Sequence, residues 1–213
     1  MRKTSRKRSI LRENILEYVD ANAKLYIIVI IMFLIGIVLG IIFINNCSED
    51  QSLQISEYIN NFINSLKENY TISTGEVLKK SIANNFFITL ILWFLGSTVI
   101  GIPLIYLIVI YKGYSIGYTA SAILATLGNK GIMFILASMV LQYIIYIPCI
   151  LSLAVSGINL YKLIREDRRT ENVKAKIAKH TVFCVLIFCV LVVEAMIEAY
   201  VSSNLIMCIV KIL

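Results

Sequence analysis

Apolar residues fall along this chain in long blocks separated by short polar intervals, and neither strand alternation nor the narrow stripe of a soluble helix dominates. Leu25 to Ile44 is an unbroken apolar run, followed by blocks at Phe86 to Ile110, Tyr114 to Leu127, Ile132 to Leu160 and Thr181 to Tyr200. A helix rises about 1.5 Å per residue, so about 20 apolar residues cross a hydrocarbon layer about 30 Å thick. Backbone polar groups inside lipid must be paired within their own segment, which makes each block a helix. The block over 114–127 is short. It reaches about 21 Å as a helix and reads as a tilted span, a re-entrant hairpin or part of a longer broken element.

Between the first two blocks, Ile55, Ile59, Phe62, Ile63 and Leu66 recur at helical spacing. That stripe predicts an amphipathic helix that lies on the membrane face, packs on the spans or docks a partner. A turn near Ser73, Thr74 and Gly75 separates it from a second short helix through Val77, Leu78 and Ile82 that runs into the second span. Pro103 and Pro148 fall inside the second and fourth blocks and predict kinks there.

Composition excludes a water-soluble domain, because 59% of the 213 residues are hydrophobic and only 15% are charged. Charge then sets sidedness. Of the 20 Lys and Arg, 7 precede the first block and 7 lie between Lys162 and Lys179. Five crossings put both clusters on one side, the cytoplasm by the positive-inside rule, with the N-terminus inside and the C-terminus outside. Were 114–127 not to cross, the second cluster would lie outside.

The expected fold is therefore all-α, a polytopic helical membrane protein with about five transmembrane helices and an external amphipathic helical segment. It forms a single membrane domain over 1–213. Residues 1–24 are a basic cytoplasmic N-terminus and the spans are 25–44, 86–110, 114–127, 132–160 and 181–200. Residues 45–85 form an external helical loop and 161–180 a basic cytoplasmic one. The net charge of +7 sits beside spans, where it orients the chain and meets membrane lipids, so no nucleic-acid partner is expected. The first block is too long for a cleaved signal and no small-residue cleavage site follows it. Cys149, Cys184 and Cys189 lie in spans, while Cys47 and Cys208 share the outer side, where sidedness alone permits a disulfide. Asn69-Tyr70-Thr71 is a glycosylation tripeptide too common to carry weight.

Some residues in the blocks are candidates for assembly or chemistry. Gly113, Gly117, Ser121 and Ala125 place small side chains at every fourth position, which lets another backbone approach closely where lipid supplies no hydrophobic drive. Gly36 and Gly40 repeat the pattern in the first span; both serve packing within the chain or a homodimer. Gln142, Tyr143 and Tyr146, near Pro148, form a polar cluster able to hydrogen-bond between helices. Glu194 and Glu198 lie one turn apart on the last span. A carboxylate in hydrocarbon is costly, so this pair is assigned to structure, to proton or ligand handling, or to partner docking. His180 is about 21 Å of helix away from Glu194 and reads as an interfacial residue at the cytoplasmic start of the span. No phosphate loop, HExxH or CxxC is present, and no enzyme activity, cofactor or metal site is expected.

With its basic N-terminus and first span carrying Gly36 and Gly40, its Asn84-Asn85-Phe86 and Gly96, and its Tyr111-Lys112-Gly113-Tyr114-Ser115-Ile116-Gly117, the chain resembles the stage II sporulation protein M family of endospore-forming bacteria. The resemblance continues through Leu127-Gly128, Tyr146-Ile147-Pro148 and Ile197-Glu198-Ala199-Tyr200, although Leu141 stands where family members often carry a proline beside the fourth-span Gln. The resemblance implies a non-catalytic anchor, scaffold or regulator of the engulfment machinery, in the mother-cell membrane during sporulation. Its implied partners are the peptidoglycan-degrading stage II sporulation proteins D and P. The competing class is a permease or channel subunit built on Glu194 and Glu198.

Overall fold

The computed structural model describes residues 19–68, 73–98, 100–166 and 173–210. Regular structure among them is helical throughout. Five helical stretches are long and apolar enough to cross a membrane, which makes this an all-α polytopic membrane fold. In chain order the elements are α1 (Ala23–Asn45), α2 (Glu49–Lys67), α3 (Thr74–Gly96), α4 (Gly101–Leu127) and α5 (Asn129–Ile135). A π-helical turn (Leu136–Val140) joins α5 to α6 (Leu141–Glu166), and a second one (Glu198–Ser202) joins α7 (Val173–Ile197) to α8 (Ser203–Val210). The glycosylation tripeptide lies outside the described residues.

The middle of the chain departs from the block pattern. Residues 86–110 are not one span: 86–96 finish α3, the chain turns, and 101–110 open α4. The short block 114–127 is the second half of that same α4, a helix of 27 residues. Two local features set the turn. A Cβ on Gly101 would sit 2.7 Å from the Leu95 carbonyl carbon, so only glycine permits the tight reversal. Pro103 falls in the first turn of α4, where its missing N–H would have had no intrahelical partner. Pro103 therefore starts a helix and does not kink one, whereas Pro148 lies inside α6. At the other end of α4, Gly128 takes φ +56° and turns the chain into α5.

Helix α1 packs chiefly on α4, and the two run parallel. Gly36 faces Ile110 and Tyr114, and Gly40 faces Tyr114, Gly117 and Tyr118. In return Gly113 and Gly117 meet the backbone of Phe33 and Ile37. A Cβ on Gly36 would stand 2.9 Å from the Tyr114 nitrogen. The small-residue ridge thus serves packing between two helices of the chain as far as Gly117. Beyond it Ser121 is half-buried and Ala125 is exposed.

The central core draws Val29 from α1, Leu92 from α3, Ile105 and Val109 from α4, Leu153, Val155 and Ile158 from α6 and Leu191 from α7. A second cluster, Ile63, Leu66, Ile123, Phe134, Met139 and Val210, closes one end of the bundle beneath α2. Helix α2 opens on a reciprocal cap in which the Gln51 N–H donates to the Ser48 hydroxyl oxygen and the Ser48 N–H to Gln51 Oε1. Of its apolar stripe, Ile63 and Leu66 are buried on the spans, Ile55 and Ile59 are half-buried and Phe62 is exposed.

His180 is not interfacial: it is buried between α6 and α7, with Nδ1 2.8 Å from the Ser156 hydroxyl and Nε2 3.5 Å from Cys184 Sγ. The close crossing of Gly96 and Gly157 makes room for it, since a Cβ on Gly96 would lie 2.9 Å from Gly157 Cα and 3.3 Å from His180 Nε2. Cys47, Cys149, Cys184, Cys189 and Cys208 are all free thiols.

Candidate functional site

The parallel pairing of α1 and α4 fixes the depth of Lys112. Gly36, beside the middle of the apolar run Leu25 to Ile44, faces Ile110 and Tyr114, which flank Lys112. This lysine is therefore level with the centre of the spans and not in a loop between two of them. It is half-buried, with Nζ 5.6 Å from the centre of the Tyr146 ring. A cation held against an aromatic face offsets part of the cost of leaving water.

Around it four helices enclose a polar cavity of about 170 Å³. Helix α3 contributes Ser81, Asn84 and Asn85, and α4 contributes Lys112, Ser115 and Ile116. Helix α6 contributes Gln142, Tyr143 and Tyr146, and the last span contributes Glu194 and Glu198. Helical spacing brings the carboxylates to one face, and they are held differently. Glu194, 3% exposed, accepts a 2.8 Å hydrogen bond from Asn85 Nδ2, which also donates to the Leu191 carbonyl at 3.1 Å. Asn85 is itself fixed by its place in α3, where its carbonyl accepts from the Thr89 hydroxyl at 2.8 Å. Glu198 is half-buried and accepts a hydrogen bond from the Ser81 hydroxyl.

Glu198 also opens the π-helical turn. The Ser203 N–H reaches five residues back to the Glu198 carbonyl, and the Ser203 hydroxyl donates to the same oxygen at 3.3 Å. Such turns widen a helix by one residue and recur at functional positions. Within the turn, the Ser202 hydroxyl is buried and has no hydrogen-bond partner. The other π-helical turn ends at Val140, two residues before Gln142, so helix irregularity flanks the cavity on α6 as well.

Of the residues singled out in the sequence, Asn84, Asn85, Gln142, Tyr146, Glu194 and Glu198 converge on this cavity. Gly113 and Gly117 lie on the α1 side of α4, Ser121 and Ala125 lie further along it, and Pro148 is exposed on α6. Sequence reasoning missed Lys112, Ser81 and Ser115. The available signal was Gly101-Ile102-Pro103 read as a helix start, which leaves Lys112 deep inside one long span.

No curated protein and no solved structure matches the chain. The family model described as stage II sporulation protein M matches residues 29–203, which takes in nearly all of the bundle from α1 to the second π-helical turn, and the chain belongs to that family.

Proposed function

We propose that this protein is a non-catalytic membrane anchor and scaffold of a sporulation engulfment complex, positioning or regulating peptidoglycan-degrading enzymes. Membership of a family not known for enzymes supports that reading. The geometric observation that carries it is the asymmetry of the bundle. One end bears the four-residue stretch between α3 and α4, while the other carries the helical layer of α2, α5 and α8 over its own apolar cluster. On α2 Tyr58 and Phe62, one helical turn apart, are both exposed, a surface suited to a protein partner. With the N-terminus cytoplasmic, this layer faces outward, toward the wall. The partners in this reading are the stage II sporulation proteins D and P, and the site of action is the mother-cell membrane.

The test is an affinity pulldown from sporulating cells after mild detergent extraction, with wild type beside a Tyr58→Asp, Phe62→Asp double variant. Recovery of the D and P proteins with wild type, and clear loss with an equally well-folded variant, is the expected result. Failure to recover either protein with wild type overturns the scaffold reading.

The cavity favours a second reading, a permease or channel subunit, because Lys112 gives Glu194 and Glu198 a cationic neighbour in mid-span. Flux through proteoliposomes that is lost in both Glu194→Gln and Glu194→Leu, with partner binding intact, would replace the scaffold with the permease.

A further inference from the structure

Elsewhere in the bundle, several polar side chains are satisfied in pairs. His180 meets Ser156 and Cys184, the Trp93 indole N–H donates to the Thr181 hydroxyl at 2.9 Å, and the Tyr26 hydroxyl donates to Ser152 at 3.3 Å. The cavity differs, because polar side chains from four helices surround open space there. Its lining carries both signs of charge, two carboxylates and one ammonium, along with neutral amides and hydroxyls. A pocket with a few convergent polar groups is the usual form of a small-molecule site.

We propose that this cavity binds a small zwitterion, its primary ammonium group held by Glu194 and Glu198 and its anionic group by Lys112. The proposal goes beyond the scaffold reading and does not depend on it. The charge pattern selects the ligand class. A cation alone would meet the carboxylates but repel Lys112, and an anion alone would do the reverse. A zwitterion engages both and carries no net charge into a low-dielectric site, where an uncompensated ion is expensive. Asn84 and Gln142 offer donors and acceptors that orient it.

Size agrees with this choice. An engineered apolar cavity of about 150 Å³ holds one benzene, so about 170 Å³ takes about six heavy atoms, the size of alanine, or the ammonium end of a larger molecule. Asn84 on α3 and Ser115 on α4 are exposed as well as cavity-lining, which places the mouth between those helices. Such a lateral mouth admits a free amino acid or the headgroup of a phosphatidylethanolamine, which share the same ammonium-and-anion chemistry.

The test uses the full chain in nanodiscs of phosphatidylcholine, whose quaternary ammonium has no N–H to donate. Thermal unfolding and calorimetry are followed with added alanine, methylammonium or acetate, and separately in nanodiscs containing dioleoylphosphatidylethanolamine. A stabilising response to alanine assigns a soluble ligand, and one to the ethanolamine lipid assigns a headgroup. In either case methylammonium and acetate should bind about tenfold to a hundredfold more weakly, the loss expected when one charged hydrogen-bonding group goes unmatched. Lys112→Met and Glu198→Gln should weaken the response by a similar factor, and Lys112→Arg should keep part of it. Should Lys112→Met fail to fold, the other two variants carry the test. No response to alanine or to the ethanolamine lipid overturns the proposal, as does methylammonium matching alanine, which would make this a cation site only.

Discussion

Asn85 shows what one side chain must do for a carboxylate to survive inside a bundle. Its amide links α3 to α7 twice, through the Leu191 carbonyl and through Glu194. A neutral hydrogen bond between membrane helices contributes about 0.6 to 2 kcal/mol, whereas stripping a buried charged group of its partner costs about 3 to 5 kcal/mol. Glu194→Gln keeps an acceptor for Asn85 and should unfold in detergent at nearly the wild-type temperature. Asn85→Leu and Glu194→Leu should both unfold clearly earlier, the first leaving Glu194 without its donor and the second removing one of the two acceptors of Asn85. Thermal unfolding of the three variants reads this directly, and an Asn85→Leu protein as stable as wild type would show that the pair does not hold α3 to α7. At this scale the sequence was half legible. The intramembrane carboxylates stood out because hydrocarbon makes them costly, but nothing local marked Asn85 as the donor, since the pairing spans 109 residues.

At the scale of elements, the α1–α4 pair and the α3–α4 turn carry opposite lessons. The ridge was legible because close helix approach without a hydrophobic drive requires small residues at fixed spacing, and Gly113 and Gly117 do meet the backbone of α1. The turn was not, because Lys112 interrupts the apolar pattern between Ile110 and Tyr114 and so reads as a boundary between spans. Aromatic contact and a polar cavity let a lysine sit inside a helix that apolar block length alone would cut in two. The ridge makes a sharp comparison of neighbouring residues. Any side chain at Gly117 collides with the Ile37 backbone, which cannot swing aside as a flexible side chain would. Ile116, half-buried, has room for a change of branching. Gly117→Leu should therefore cost more than the about 1 to 3 kcal/mol of ordinary overpacking and should reduce the yield of monodisperse protein from detergent. Ile116→Leu should be nearly silent. Equal yields and equal size-exclusion profiles for the two would mean that α1 and α4 do not interlock as described.

For the whole molecule, the strongest constraint is that helix direction, span number and charge must agree. Parallel α1 and α4 require one return crossing between them, which α3 supplies. Helix α6 with its preceding turn returns again, and α7 with α8 makes the fifth crossing. Moving Lys112 from a loop into a span leaves the parity unchanged, because α3 and α4 still count as two crossings. With five crossings the two groups of seven basic residues, before Leu25 and from Lys162 to Lys179, are expected on one side, the side that the positive-inside rule predicts to be the cytoplasm. On the other side stand α2 and only a few scattered lysines, among them Lys67, Lys79, Lys80 and Lys130. The predicted orientation rests on this charge difference near the span ends. A reporter active only in the cytoplasm should be active when fused after Lys176, and a reporter active only outside should be active when fused after Leu213. An external signal at Lys176 would remove one crossing from the chain or invert it. Inversion would turn the α2 layer away from the wall and leave the scaffold reading without its partner-facing surface, and a lost crossing after α2 would break the five-span bundle.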